Sequence, residues 1–140
     1  PHAKGFEVGE GSTVERFRAT LEGIAFVEAL SYRKFEELGA PVGDMFTAVG
    51  GATRSALWNV IRASVQNRHL RLVENAETAM GAAITAFVGL DMTLSEAVKS
   101  IVRSKESIAP DPALVKAYEG ATQEFESEWA RRTADQLSSS

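Results

Sequence analysis

Cysteine is absent from the 140 residues, which excludes disulfides, thiolate metal sites and a cysteine nucleophile. The absence fits a reducing cytosol. Histidine is nearly absent too: His2 and His69 lie far apart, and neither stands at metal-ligand spacing from a second ligand. A metal site built from protein ligands alone is therefore not expected. No block of Lys or Arg occurs and the formal net charge is −4, which argues against a nucleic-acid surface. No apolar run is long enough to cross a bilayer. The start, PHAKGFEVGEG, lacks the charged-then-apolar layout of a signal peptide. It also lacks an initiator Met and opens in Gly-rich sequence, so it reads as a chain cut from something longer.

What remains is an ordinary globular composition, 44% apolar and 24% charged, in a length that suits one domain with a real core. Ser12 and Glu15 form a capping box before a long amphipathic helix. Its apolar repeat (Val14, Phe17, Leu21, Ile24, Leu30, Phe35, Leu38) defines the expected core stripe, and Gly39 and Pro41 stop it. MFTAV (45–49) and HLRLV (69–73) read as strands. Between them Leu57, Trp58, Ile61 and Val65 make a helical stripe, with Ser55 as N-cap. A strand–helix–strand unit of that length favours a parallel pair. ETAMGAAITAFVGL (77–90) is a helix of small residues, where Gly81 predicts a close backbone contact. Thr93 and Glu96 open a further helix through LSEAVKSIVRS, and Asp111 and Pro112 open the last. The expected order is helix, strand, helix, strand, then three helices, with a domain over 1–137 and a disordered tail over 138–140. Two strands alone make a marginal sheet, a second hint that part of the fold is missing.

The candidate for chemistry is TAVGGATRSALW (47–58). A strand that ends in Gly50 and Gly51 and feeds a helix offers unobstructed N–H groups at the positive end of a helix dipole. Ser55 adds a hydroxyl there. The local pattern alone leaves two readings, a phosphate cradle or a plain turn. No Gly-Lys-Ser/Thr follows, so this is not a Walker loop, and GEGSTV (9–14) lacks a preceding strand. Glu22, Asp44, Glu74, Glu77 and Asp91 are acid–base candidates, but solvation or capping explains each more simply. Trp58 and Trp129 are expected in the core, and the Arg pair after Trp129 at a solvated helix end.

Taken in order, three blocks resemble the C-terminal part of the FGGY carbohydrate kinases, members of the actin-like, ribonuclease-H-like ATPase superfamily. They are RATLEGIAF (18–26), VGGATRSALWNVIRASV (49–65) and ENAETAMGAAITAFVGL (74–90); PDPALVKAYEGA is similar to the family's tail. The resemblance implies an α/β fold, an incomplete ribonuclease-H-like domain with a short parallel strand–helix–strand unit and flanking helices. It implies that Gly50, Gly51 and Ala52 approach the phosphates of ATP, with Ser55 near the nucleoside. Gly81, Ala82 and Ala83 would support the adenosine pocket by packing. Ala52 stands where many members carry a third glycine, and SVQN (64–67) departs from the usual Ala-Asp-x-x-Gly.

The resemblance also implies ATP and Mg2+ as cofactors of a longer parent, a sugar (ketose or polyol) as substrate, and cytoplasmic location. The sugar site, the aspartate base and the first phosphate motif belong to a part of the family that precedes the matched region, so this chain carries no catalytic residue. Alone it is expected to be inactive and to self-associate through open sheet edges. The alternatives are a non-catalytic nucleotide- or protein-binding α/β module and a mainly helical interaction domain. ALWN and AETA lean towards the deoxyketose-kinase side of the family.

Overall fold

The computed structural model describes residues 10–74 and 78–138; His2, Glu77 and Ser139–Ser140 lie outside them. Helix α1 (Thr13–Glu37) opens on the expected capping box: the Ser12 hydroxyl accepts from the Glu15 N–H, and the Glu15 carboxylate accepts from the Ser12 N–H. It closes where Gly39 takes φ 83°. There the Gly39 and Ala40 N–H groups donate to the carbonyls of Glu36 and Phe35, a Schellman ending that a residue with a Cβ adopts only under strain.

Strand β1 (Met45–Ala48) leads through a 3-10 turn (Gly51–Arg54) into α2 (Ala56–Gln66) and then β2 (His69–Val73). The two strands are parallel, with Phe46 opposite Leu70 and Ala48 opposite Leu72, as the sequence implies. Helices α3 (Thr78–Val88) and α4 (Leu94–Ile101) pack against each other, and Thr93 and Glu96 form the second capping box. The next segment corrects the sequence reading. The helix expected through Ser104 ends at Ile101, and Ser104–Ile108, where no strand was expected, is a third strand, β3, paired antiparallel to β2. Its side chains are exposed except at Ile108, so it carries no hydrophobic alternation; its backbone bonds to β2 hold it. Helix α5 (Pro112–Ser138) starts where the Asp111 carboxylate accepts from the Ala113 and Leu114 N–H groups, and it extends one residue into the expected tail.

The sheet order β1-β2-β3 buries one set of alternating residues. Phe46, Ala48, Leu70 and Leu72 meet Ala63 of α2, with Tyr32 and Ile108 packed beside them. A second cluster joins Ala25 of α1 to Trp58 and Ile61. Each large side chain buried this way contributes about 1.5–3 kcal/mol. Helix α2 is central, touching α1, α5 and the sheet. Its burial is therefore not one stripe: Asn59 and Ser64 are buried while Leu57 is 58% exposed.

Helix α1 also departs from its expected stripe. Ala25, Phe26 and Ala29 are buried, whereas Val14, Phe17, Ile24, Phe35 and Leu38 are exposed. The helix is apolar on two faces, and α2 and α5 take the less conspicuous one. Trp129 is 39% exposed, stacked beside Phe125 at 6.4 Å rather than sunk in the core. Arg131 and Arg132 sit within α5, not at its end, and both pair with Glu128. The close contact expected at Gly81 is not formed among the described residues: nothing lies within 4 Å of where a Cβ would stand.

Helix α5 is latched to α1 by aromatic and polar contacts. Phe26 meets Tyr118 edge-on at 6.0 Å and Phe125 at 5.5 Å. The Tyr118 hydroxyl donates to Glu22 Oε1 at 2.9 Å, an oxygen also held by Arg18. Burial first, and then the bond to Glu22, raise the Tyr118 hydroxyl above a phenol's ordinary value of 10.0. The fold thus favours the neutral phenol. That stability is fully present below the unfolded pKa and is lost as pH rises through the folded one. Tyr118→Phe is expected to cost about 1 kcal/mol at neutral pH and to flatten this alkaline limb, both readable by urea unfolding across pH.

Candidate functional site

The site grows from a backbone requirement. At the end of β1 the chain must turn sharply into α2, and Gly50 does this with φ 93° and ψ 175°, a region open essentially to glycine. Gly51 is not in a left-handed conformation. Its distinction is space: a Cβ at Gly50 or Gly51 would meet nothing within 4 Å. Both glycines, Ala52 and Ser55 are exposed, so the sequence-expected residues 50, 51, 52 and 55 form one accessible surface.

Hydrogen bonds fix that surface from behind. The Thr53 N–H and Oγ1 donate to the Gly50 carbonyl at 3.2 and 2.7 Å, and the Ser55 N–H donates to Ala52 O at 3.2 Å. Ser55 then caps α2, its Oγ accepting from the Trp58 N–H at 3.2 Å. A hydroxyl also carries one proton to donate, so the cap leaves Ser55 a donor for a ligand. The first amides of a helix have no intrahelical carbonyl partner and sit at the positive end of its dipole. An exposed turn of this kind can hold an anion.

Charge is segregated around it. Between Asp44 and Glu74 the sequence holds no Asp or Glu, yet it holds Arg54, Arg62, Arg68 and Arg71. Two of these answer carboxylates of α1: Arg62 pairs with Glu28 and Arg68 with Glu36. Arg71 donates to Thr47 Oγ1 at 2.8 Å, and Arg54 is exposed on the turn itself. This acid-free unit within a net acidic chain was legible in the sequence.

Other expected residues lie elsewhere. Gly81 and Ala82 are exposed on α3. Glu22 is part-buried but engaged with Tyr118 and Arg18. Asp44 is exposed, its carbonyl accepting from the His69 N–H, and Asp91 is an exposed residue with φ 64°. Among the described residues no group of three or more His, Asp or Glu could hold a metal ion, and no helix is long and apolar enough to cross a membrane. The cleft bounded by Tyr32, Arg33, Glu36, Gln66 and Arg68, and that bounded by Phe26 and Phe125, are not lined by the turn. The turn residues Gly50, Gly51, Ala52 and Ser55 are instead all exposed.

Similarity to known proteins gives the chain a family. Residues 2–90 match the model of the FGGY family of carbohydrate kinases, C-terminal domain. The chain is 30% identical over 114 residues to an autoinducer-2 kinase of Salmonella typhimurium, covering 79% of this chain and 21% of that protein. It is 32% identical over 75 residues to an L-fuculokinase of Escherichia coli O157:H7, covering 53% and 16%. The solved xylulose kinase of Rhodospirillum rubrum superposes with a TM-score of 0.72 at 30% identity, over 91% of this chain and 26% of that one. The chain thus spans about a fifth of the length of the curated relatives it matches. With the glycine turn, its flanking helices and the actin-like ATPase fold of its neighbours in agreement, the chain belongs to the FGGY family of carbohydrate kinases.

Proposed function

We propose that this chain is the nucleotide-site portion of an ATP-dependent carbohydrate kinase, a phosphotransferase acting on a ketose or polyol hydroxyl. The observation that carries the reading is Gly50: a left-handed glycine turns the chain from β1 towards α2, and the backbone of Gly50 and Gly51 is exposed with open space where side chains would stand. In the parent, the sugar oxygen attacks the γ-phosphorus, the bond to the β–γ bridging oxygen breaks, and ADP leaves. The hydroxyl proton passes to a base outside this chain. Catalysis of this type is mainly positioning and charge stabilisation. The amides at Gly50, Gly51 and Ala52 hold phosphate oxygens, the Ser55 hydroxyl donates near the nucleoside, and Gly81 and Ala82 leave a smooth face beside the adenosine. The magnesium that accompanies ATP in such reactions is held largely by phosphate oxygens and water and needs only one or two carboxylates from the protein.

The same reading accounts for the bare surface of α1 and places the protein in the cytoplasm, where ATP is available. Val14, Phe17, Ile24 and Phe35 would pack on the parent's remaining layers. Without them, that face and the outer edges of β1 and β3 favour self-association. In a coupled ADP-release assay with a panel of ketoses and polyols, the 140-residue chain is expected to give no turnover. The full-length parent is expected to turn over at least one of the sugars. A parent inactive on every sugar, or a chain active alone, would refute the proposal.

A further inference from the structure

Asn59 lies one turn into α2, four residues after Ser55, and is 2% exposed. Its side-chain nitrogen donates to the Thr53 carbonyl at 2.7 Å. A carbonyl only accepts, so the NH2 end must face Thr53, and this fixes the orientation of the amide. The other end, Oδ1, is buried without a hydrogen-bond partner among the described residues. A lone buried acceptor is costly, and a leucine of similar size would avoid it. What the amide supplies is a tie from the helix to the turn. The tie continues through Thr53, whose N–H and Oγ1 hold the carbonyl of Gly50.

We infer that Asn59 is a positioning residue for the nucleotide turn: from behind it, the side-chain amide sets the placement of residues 50–55 and so the direction of the amides that meet a phosphate. This rests on the kinase reading above. Asn59 itself is packed in the core and offers the ligand no surface.

The test uses the isotope-labelled 140-residue chain and its Asn59→Asp variant, followed by amide hydrogen exchange and by ATP titration. Aspartate keeps the size, but its carboxylate has no proton to donate and faces the Thr53 carbonyl oxygen to oxygen. The amides of Thr53 and Ser55, which are bonded within the turn, are expected to exchange about tenfold faster, with Leu70 and Leu72 unchanged, and ATP affinity at the turn to fall about tenfold. Lowering the pH to about 5 protonates the buried carboxyl, restores a donor and moves the variant back towards the unaltered chain measured at that pH. A merely structural defect would not be rescued by acid. The unaltered chain gives a check that needs no variant: the Asn59 side-chain protons should exchange slowly.

Equal turn protection and equal ATP affinity in the two proteins would overturn the inference, as would rapid exchange of the Asn59 side-chain protons. If ATP leaves Gly50 and Gly51 of the unaltered chain unshifted, the nucleotide reading fails by itself. The exchange comparison then still decides whether Asn59 holds the turn.

Discussion

Gly50→Val is expected to lower stability by about 1–3 kcal/mol and to remove nucleotide contact at the turn, whereas Gly51→Val is expected to remove the contact alone. The difference comes from the backbone. Gly50 sits at φ 93° and ψ 175°, where a β-branched side chain is strained however much room surrounds it. Gly51 has no such dihedral, and the space beside it is open, so a larger side chain fits the fold and obstructs only an approaching phosphate. Thermal unfolding of the two variants, together with ATP titration, separates the effects. Equal destabilisation by both substitutions would contradict the assignment of strain to Gly50.

The second large effect concerns Arg62, and it runs against the intuition that removing a charge from a packed region is the worse injury. The Arg62 side chain is 13% exposed and its partner Glu28 is 24% exposed. The guanidinium lies 5.4 Å from the Phe46 ring centre and 5.6 Å from that of Trp58, between the two hydrophobic clusters. Glu28 accepts from Arg62 Nε at 2.8 Å and from Gln66 Nε2 at 3.0 Å. Glu28→Ala leaves a desolvated cation between two rings, so it is expected to cost about 2–4 kcal/mol. Arg62→Met keeps the apolar stem and leaves Glu28, the more solvated partner, able to turn to water. A cost of about 1 kcal/mol or less is expected there. Urea unfolding followed by the fluorescence of Trp58 compares them, and a larger loss for Arg62→Met would contradict this view of the pair.

What the sequence conveys well here is what short-range chemistry decides. Both capping boxes, the Gly39 stop, the Asp111 cap and the Ser55 cap are bonds between residues two to five apart, and all are formed. Strands β1 and β2 were legible because each buries alternate side chains, Phe46 and Ala48 on one and Leu70 and Leu72 on the other. Strand β3 was not, because Ser104, Lys105, Glu106 and Ser107 are exposed and the strand exists through its backbone pairing with β2. A pattern of side chains cannot announce a strand whose side chains bury nothing.

Helix α1 illustrates a different limit. Periodicity identified the apolar face with Phe17, Ile24 and Phe35, and that face is real, but it is the one this chain leaves bare. Which of two apolar faces is covered depends on where α2 and α5 dock, and that is tertiary information. The glycine turn at Gly50 and Gly51 and the Ser55 cap were readable from composition and order. Asn59 was not, because its role depends on a bond to a backbone carbonyl six residues earlier, which no side-chain pattern records. The lack of acidic residues from 45 to 73 is a further feature of the sequence that fits the proposed anion site.

The most direct test of the nucleotide assignment is an ATP titration of the isotope-labelled chain read residue by residue. At millimolar ATP, the amides of Gly50, Gly51, Ala52 and Ser55 are expected to shift in a saturable way, and Gly51→Val to abolish the shifts while the fold persists. Unmoved resonances at the turn, or shifts confined to Tyr32, Gln66 and Arg68 in the cleft beside α1, would contradict it.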